Sequence, residues 1–165
     1  MTAADSALAG DELWMRRALD LASGAACEGE VPVGAVVVRD GVEIGVGANA
    51  PIRSADPTAH AEINAIRTAS QAAGNYRLTG ATLYATMEPC IMCAGAIVHA
   101  RIDRVVYGAA DERWGGAGGV FDILGCTRLN HRPVVRGGVL SRECAHLLLE
   151  FFRARRVRDG QSNER

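Results

Sequence analysis

The sequence predicts an α/β domain in which a largely parallel sheet stands behind an antiparallel hairpin. Three observations carry this. Five short apolar runs of strand length punctuate the chain. The first two flank Asp40-Gly41, a preferred dipeptide for a tight hairpin turn. The other three alternate with segments whose apolar residues recur at helical spacing, the pattern of β–α–β units.

Residues 11–28 set Leu13, Trp14, Ala18, Leu21 and Ala22 at helical spacing, which predicts a first amphipathic helix. Runs 33–38 and 42–46 form the hairpin. Asn49-Ala50-Pro51 then leaves the second strand, and Asp56-Pro57-Thr58 is a helix start signal with Thr58 as its cap. That helix continues through Ile63, Ile66 and Arg67 to about Ala73, where Gly74-Asn75 ends it. Run 81–86 reads as a buried strand that delivers the chain to Glu88-Pro89-Cys90. Pro89 suits a first helical position, where its missing N–H costs nothing, and the helix carries Ala94, Ile97 and Val98. Residues 104–107 are the next strand. A long glycine-bearing connection follows (Gly115, Gly116, Gly118, Gly119), with a helical turn at 121–124. Residues 134–140 supply the last strand, and Ser141 caps a helix through 147–155.

A chain of 165 residues is most simply one domain, large enough to bury a core. We expect a flexible start at 1–10, a single domain over 11–158 and a frayed tail at 159–165. Hydrophobic residues at 48% and charged residues at 22% are ordinary for a soluble protein. No run approaches a membrane span, and the acidic start (Asp5, Asp11, Glu12) is unlike a signal peptide. The five cysteines lack framework spacing and fit a reducing compartment, so the expected location is the cytoplasm with no membrane partner.

A net charge of −1 does not announce a nucleic-acid binder, but its distribution is uneven. Residues 1–30 carry six acids against Arg16 and Arg17, whereas 151–158 hold Arg153, Arg155, Arg156 and Arg158 with no acid. Arginine suits phosphate contact and base stacking. The total absence of lysine is read as compositional bias of an Ala-, Gly-, Arg- and Val-rich chain rather than as function.

The chemistry concentrates in two segments, His60-Ala61-Glu62 and Pro89-Cys90-Ile91-Met92-Cys93. Zinc accepts imidazole nitrogen and thiolate sulfur, and a catalytic site uses three protein ligands while leaving one position to water. His60, Cys90 and Cys93 make three. Cys90 and Cys93 stand at i and i+3, on one face of a helix whose N-terminus favours the thiolate form. His60 and Glu62 would diverge by about 200° on a regular helix, so a shared metal would have to lie just beyond the helix end. Alone, Cys-x-x-Cys also fits a redox pair or half of a structural zinc site. Cys27, Cys126 and Cys144 stand singly, and none offers a fourth ligand at matching spacing, so they read as structural thiols. Glu62 is then left over as the general acid/base, completing the H-x-E…P-C-x-x-C signature of zinc nucleobase deaminases.

The chain resembles the bacterial tRNA-specific adenosine deaminases of the cytidine/deoxycytidylate deaminase superfamily. The matching stretches are 30–35, 56–62, 75–78 and 88–95, followed by Gly108-Ala109, Asp111, Asn130-His131 and 151–153, so the similarity covers roughly 12–156. The resemblance implies the three-layer fold of that superfamily, one zinc per subunit and a homodimer. It also implies hydrolytic deamination of adenosine to inosine at wobble position 34 of tRNA, with an arginine tRNA of ACG anticodon as substrate. By position, His60, Cys90 and Cys93 hold zinc and Glu62 moves protons. Asn49 contacts the flipped adenine, and Asp111 lies near the ribose–phosphate of the target nucleotide. Phe151, Arg153, Arg155 and Arg156 belong to an RNA-contacting C-terminal helix. Ala50, Ala110 and Trp114 depart from the family pattern, and Trp114 could stack on an anticodon base. Two rival readings share the zinc signature: a guanine deaminase acting on the free base, and a non-catalytic zinc-containing RNA-binding subunit.

Overall fold

A computed structural model describes residues 3–162, with side chains described from 8 to 158. In chain order the elements are α1 (Ala3–Cys27), β1 (Gly34–Arg39), β2 (Val42–Ala48), α2 (Pro51–Ser54), α3 (Ala61–Ala73) and β3 (Ala81–Met87). They continue with α4 (Ile91–His99), β4 (Arg104–Ala109), β5 (Val134–Arg136) and α5 (Ser141–Ser162). One five-stranded sheet has the order β2-β1-β3-β4-β5. Strand β1 runs antiparallel to both β2 and β3, while β3, β4 and β5 are parallel.

Strand periodicity sorts the core onto two faces. Ala35, Val37, Leu83, Ala85 and Val105 pack with Ala61, Ala65 and Ala69 of α3 and Ala94, Ile97 and Val98 of α4. Their neighbours Val36, Val38, Tyr84 and Val106 point the other way, onto Met15 and Ala18 of α1 and Cys144 of α5. Successive strand side chains must alternate, so burial on both sides produces continuous apolar strands and three layers. The small residues of α3 let it lie close on β2. A Cβ on Gly47 would stand 2.2 Å from the Ala61 carbonyl oxygen, and one on Gly45 2.5 Å from the Ala69 nitrogen. This closeness fixes the start of α3, and with it the first metal-binding segment. Asp11 ties α1 to the sheet: its carboxylate takes both Arg104 Nη donors at 2.7 and 2.8 Å, Arg136 at 2.8 Å and the Tyr84 hydroxyl at 3.2 Å.

The expected sheet and hairpin are present, and Asp40 and Gly41 both take positive φ as a primed turn requires. Gly74 ends α3 in the left-handed conformation, as read from sequence. Several local expectations are corrected. Helix α1 reaches back to Ala3, well before residue 11, and α5 runs on to Ser162. Thr58 is not a helix cap. It closes a turn on Asp56, whose Oδ1 accepts both the Thr58 N–H (2.8 Å) and its hydroxyl (2.7 Å). Pro89 precedes the cap of α4, which is Cys90. Residues 121–124 form no helix, because Ala117 pairs with Asp122 in a short bridge and Leu124 is drawn into the core. Strand β5 stops at Arg136, since Gly138 (φ 86°) and Leu140 (φ 50°) turn the chain. Ser141 is the first residue of α5 rather than its cap, and the Cys144 N–H closes the first turn on the Leu140 carbonyl. Helix α2, with Pro51 at its start, was not expected.

Candidate metal and active site

The site forms where β3 ends. Cys90 is the N-cap of α4 and His60 the N-cap of α3, both with extended backbone (ψ 173° and 155°). This resolves the angular problem posed by His60 and Glu62. His60 lies outside the helix and Glu62 inside its first turn, so the 3.6-residue period does not separate them. Cys93 sits one turn into α4 and is fully buried.

His60 Nδ1 lies 3.6 Å from the sulfur of Cys90 and 3.6 Å from that of Cys93. All three ligand atoms fall within 4.8 Å of one another, and among the described residues no further His, Cys, Asp or Glu joins the group. Zinc bonds of about 2.0–2.1 Å to nitrogen and 2.3 Å to sulfur, at a tetrahedral angle, would place N and S about 3.6 Å apart. The donor set and its spacing therefore fit zinc with three protein ligands. Cys90 is held at about 4 by the hydrogen bond from Cys93 and by His60. His60 is raised by its bond to the Cys90 sulfur, and Cys93 is raised by Cys90 and by burial.

Glu62 is buried, and loss of solvent pushes its carboxyl up to about 7, with Cys90 adding to the rise. In the metal-free protein this ionisation opposes folding. The unfolded carboxyl releases its proton near 4.5 and the folded one near 7. Between those limits the folded state holds the extra proton, so stability falls as pH rises, by at most about 3 kcal/mol. Melting of EDTA-treated wild type and Glu62→Gln from pH 4.5 to 8 checks this. The Gln variant should gain relative to wild type as pH rises. A constant difference would mean that the burial cost is absent.

A cavity of about 260 Å³ opens over the cluster, lined among others by Val33, Asn49, His60, Glu62, Cys90 and Asp111. Asn49 already has one duty: its Oδ1 accepts the Ala61 N–H at 3.0 Å at the start of α3. Asp111 likewise turns its loop, with Oδ1 accepting the N–H groups of Arg113 (2.9 Å) and Trp114 (3.1 Å). The C-terminal residues divide. Arg155 and Arg156 line a second cavity beside the first, whereas Arg153 pairs with Glu150 at 3.2 Å. Phe151 is buried, and Phe152 is the exposed ring of the pair.

Two carboxylates escaped the sequence reading. Glu88 is 2% exposed and gathers the N–H groups of Asp111 (3.0 Å), Ala117 (3.0 Å) and Gly119 (2.9 Å), holding the connection after β4 against the metal segment. Glu30 is equally buried and accepts the Arg53 N–H of α2 at 2.7 Å. Neither has a spacing signature. The available hint for Glu88 is an acid at the end of an apolar strand, directly before Pro-Cys.

Comparison with known proteins decides the family. Residues 9–109, which contain all three ligands and Glu62, match the model of the cytidine and deoxycytidylate deaminase zinc-binding region. The chain belongs to this zinc deaminase family. A curated deaminase relative, the tRNA-specific adenosine deaminase of Haemophilus influenzae, is 50% identical over 147 residues, covering 88% of this chain and 85% of its own. A solved structure from work on A-to-I editing by tRNA:A34 deaminases superposes with a TM-score of 0.79 at 44% identity, covering 82% of this chain and 98% of that one. A Bacillus subtilis guanine deaminase structure is 46% identical with a TM-score of 0.58, covering 60% of this chain and 64% of that one. The α/β deaminase fold expected from the sequence is thus present, and His60, Cys90 and Cys93 stand as a possible metal site within a zinc-binding deaminase domain.

Proposed function

We propose that this deaminase converts the wobble adenosine, position 34 of tRNA, to inosine, with an arginine tRNA of ACG anticodon as its substrate. The observation that carries the reading is the 50% identity to a tRNA-specific adenosine deaminase along nearly the whole chain. A homodimer and a cytoplasmic location belong to the same reading. No helix among the described residues is long and apolar enough to cross a membrane.

His60, Cys90 and Cys93 would hold zinc, which supplies a water acidic enough to attack near neutral pH. Glu62 takes a proton from the attacking water and delivers it to ring nitrogen N1. It then takes the second proton, from the hydroxyl now on C6, and passes it to the departing amine, so that C6 exchanges its C–N bond for C=O and ammonia leaves. Asn49 has its carbonyl oxygen committed to Ala61, which leaves its NH₂ as the donor toward a purine ring nitrogen. Asp111 borders both cavities, consistent with a place beside the ribose–phosphate of the target.

The deciding assay offers purified protein an arginine tRNA anticodon stem-loop, free guanine and cytidine. Inosine from the stem-loop alone is the expected result. Guanine turnover without inosine would select the rival reading that the Bacillus subtilis likeness keeps in view. Binding should also weaken linearly in a log–log salt titration if arginines meet phosphates. Arg155→Gln/Arg156→Gln should lower that slope by roughly 1–2 with zinc content unchanged. An unaltered slope would remove these two residues from the RNA surface.

A further inference from the structure

Trp114 is 59% exposed, yet the loop that carries it is firmly held. Its own N–H and that of Arg113 bind the Asp111 carboxylate, while the Asp111 N–H binds Glu88. On its other side Gly115 pairs with Cys90, and the Gly116 N–H donates to the Pro89 carbonyl at 2.8 Å. The backbone at Trp114 is therefore anchored from both directions to the segment after β3 that carries two of the candidate metal ligands. A large apolar ring kept in water on a fixed backbone adds nothing to the core.

The surroundings suit a ligand. Trp114 and Phe152, itself 42% exposed, line one cavity of about 750 Å³. The Phe151 ring backs Phe152 edge-on, with centroids 5.5 Å apart at 79°. Val31, Met87 and Asp111 border both this cavity and the smaller one over the metal cluster, so the two adjoin. Arg113, Arg155 and Arg156 line it against Asp111 and Glu112, and the Asp111 carboxylate is already engaged by backbone N–H groups.

We infer that Trp114 and Phe152 form a stacking platform for the base next to the reacting nucleotide, making Trp114 a determinant of flanking-sequence preference. This rests on the reading of the substrate as a single-stranded RNA loop. Splayed bases in such loops stack on aromatic rings while arginines follow the backbone. A second copy of the chain is the less fitting occupant. With three arginines against two acids, one of them already engaged, the patch is net positive, which favours a polyanion over a second copy of the same patch.

The test is a cycle of three enzymes (wild type, Trp114→Ala and Trp114→Phe) and three stem-loops: intact, and abasic at each nucleotide flanking the target. For wild type, removing the stacked base should lower kcat/KM by roughly 5- to 150-fold, through KM, at one flank. Trp114→Ala should suffer that loss on intact RNA and little more on the abasic one. Trp114→Phe should keep most of the wild-type value. Wild type indifferent to both flanking bases would overturn the proposal, whatever the variants do. So would losses that simply multiply at both flanks, or a Phe variant as impaired as the Ala variant. A change of oligomeric state in Trp114→Ala would instead give the ring to a subunit interface. No inosine from wild type would reject the deaminase reading together with this one, whereas inosine with multiplying losses would reject this one alone.

Discussion

Glu62→Gln should keep a full complement of zinc and lose about 10²- to 10⁴-fold in deamination rate, the usual worth of a positioned acid/base. That loss corresponds to roughly 3–5 kcal/mol of barrier. The prediction is sharp because ligand and shuttle are separable here. The ligand atoms of His60, Cys90 and Cys93 form the compact group, and Glu62 lies outside it. Gln matches Glu in volume and carries no charge into a site that is 3% exposed, so the fold has no reason to weaken. Zinc by elemental analysis and inosine by nucleoside chromatography are the two readings required. Near-normal turnover would end the shuttle assignment, and loss of zinc would make Glu62 a ligand.

Cys90→Ser and Cys93→Ser should each strip most of the zinc and lower the melting temperature. Metal binding energy is in part folding energy, and a serine hydroxyl replaces thiolate poorly. A penalty of a few kcal/mol corresponds to roughly 5–15 °C in a chain of this size. Cys93 should be the worse of the two. It is fully buried within α4, whereas Cys90 caps the helix and is partly exposed. Chelation of wild type should reproduce the same loss, and adding zinc should restore it. Full zinc retention in both variants would refute the ligand set.

The fold was legible wherever one periodicity dominated. Val36 and Val37 point to opposite faces that are both apolar, so the strand reads as an unbroken run. Asp40-Gly41 and Gly74 specify left-handed backbone that few other residues accept. The same logic failed at Pro89 and Thr58, where a good starting residue stands a position or more outside the helix and another residue occupies the cap. Of the site, the ligands were readable because zinc restricts both residue type and spacing. Glu88 and Glu30 were not readable, since their partners are backbone N–H groups and backbone has no letter in a sequence. The C-terminal helix was half read. Its composition marked an arginine face, but only packing distinguishes buried Phe151 from exposed Phe152.

The way Glu88 holds the connection after β4 bears on how this family can diversify. A carboxylate that grips N–H groups of residues 111, 117 and 119 is blind to side chains but sensitive to the count of residues between them. At Gly115 and Gly119 an added Cβ would stand 2.6 Å from Glu88 carboxylate atoms, which forbids larger residues there. Exposed 112–114 face no such demand. The segment is thus a stretch of fixed length with a few letters that the fold leaves open to selection by substrate, set beside the reaction. Substitutions at 112–114 can be sampled one at a time without moving the metal ligands, whereas insertions between 111 and 119 cannot. Trp114 is one such letter.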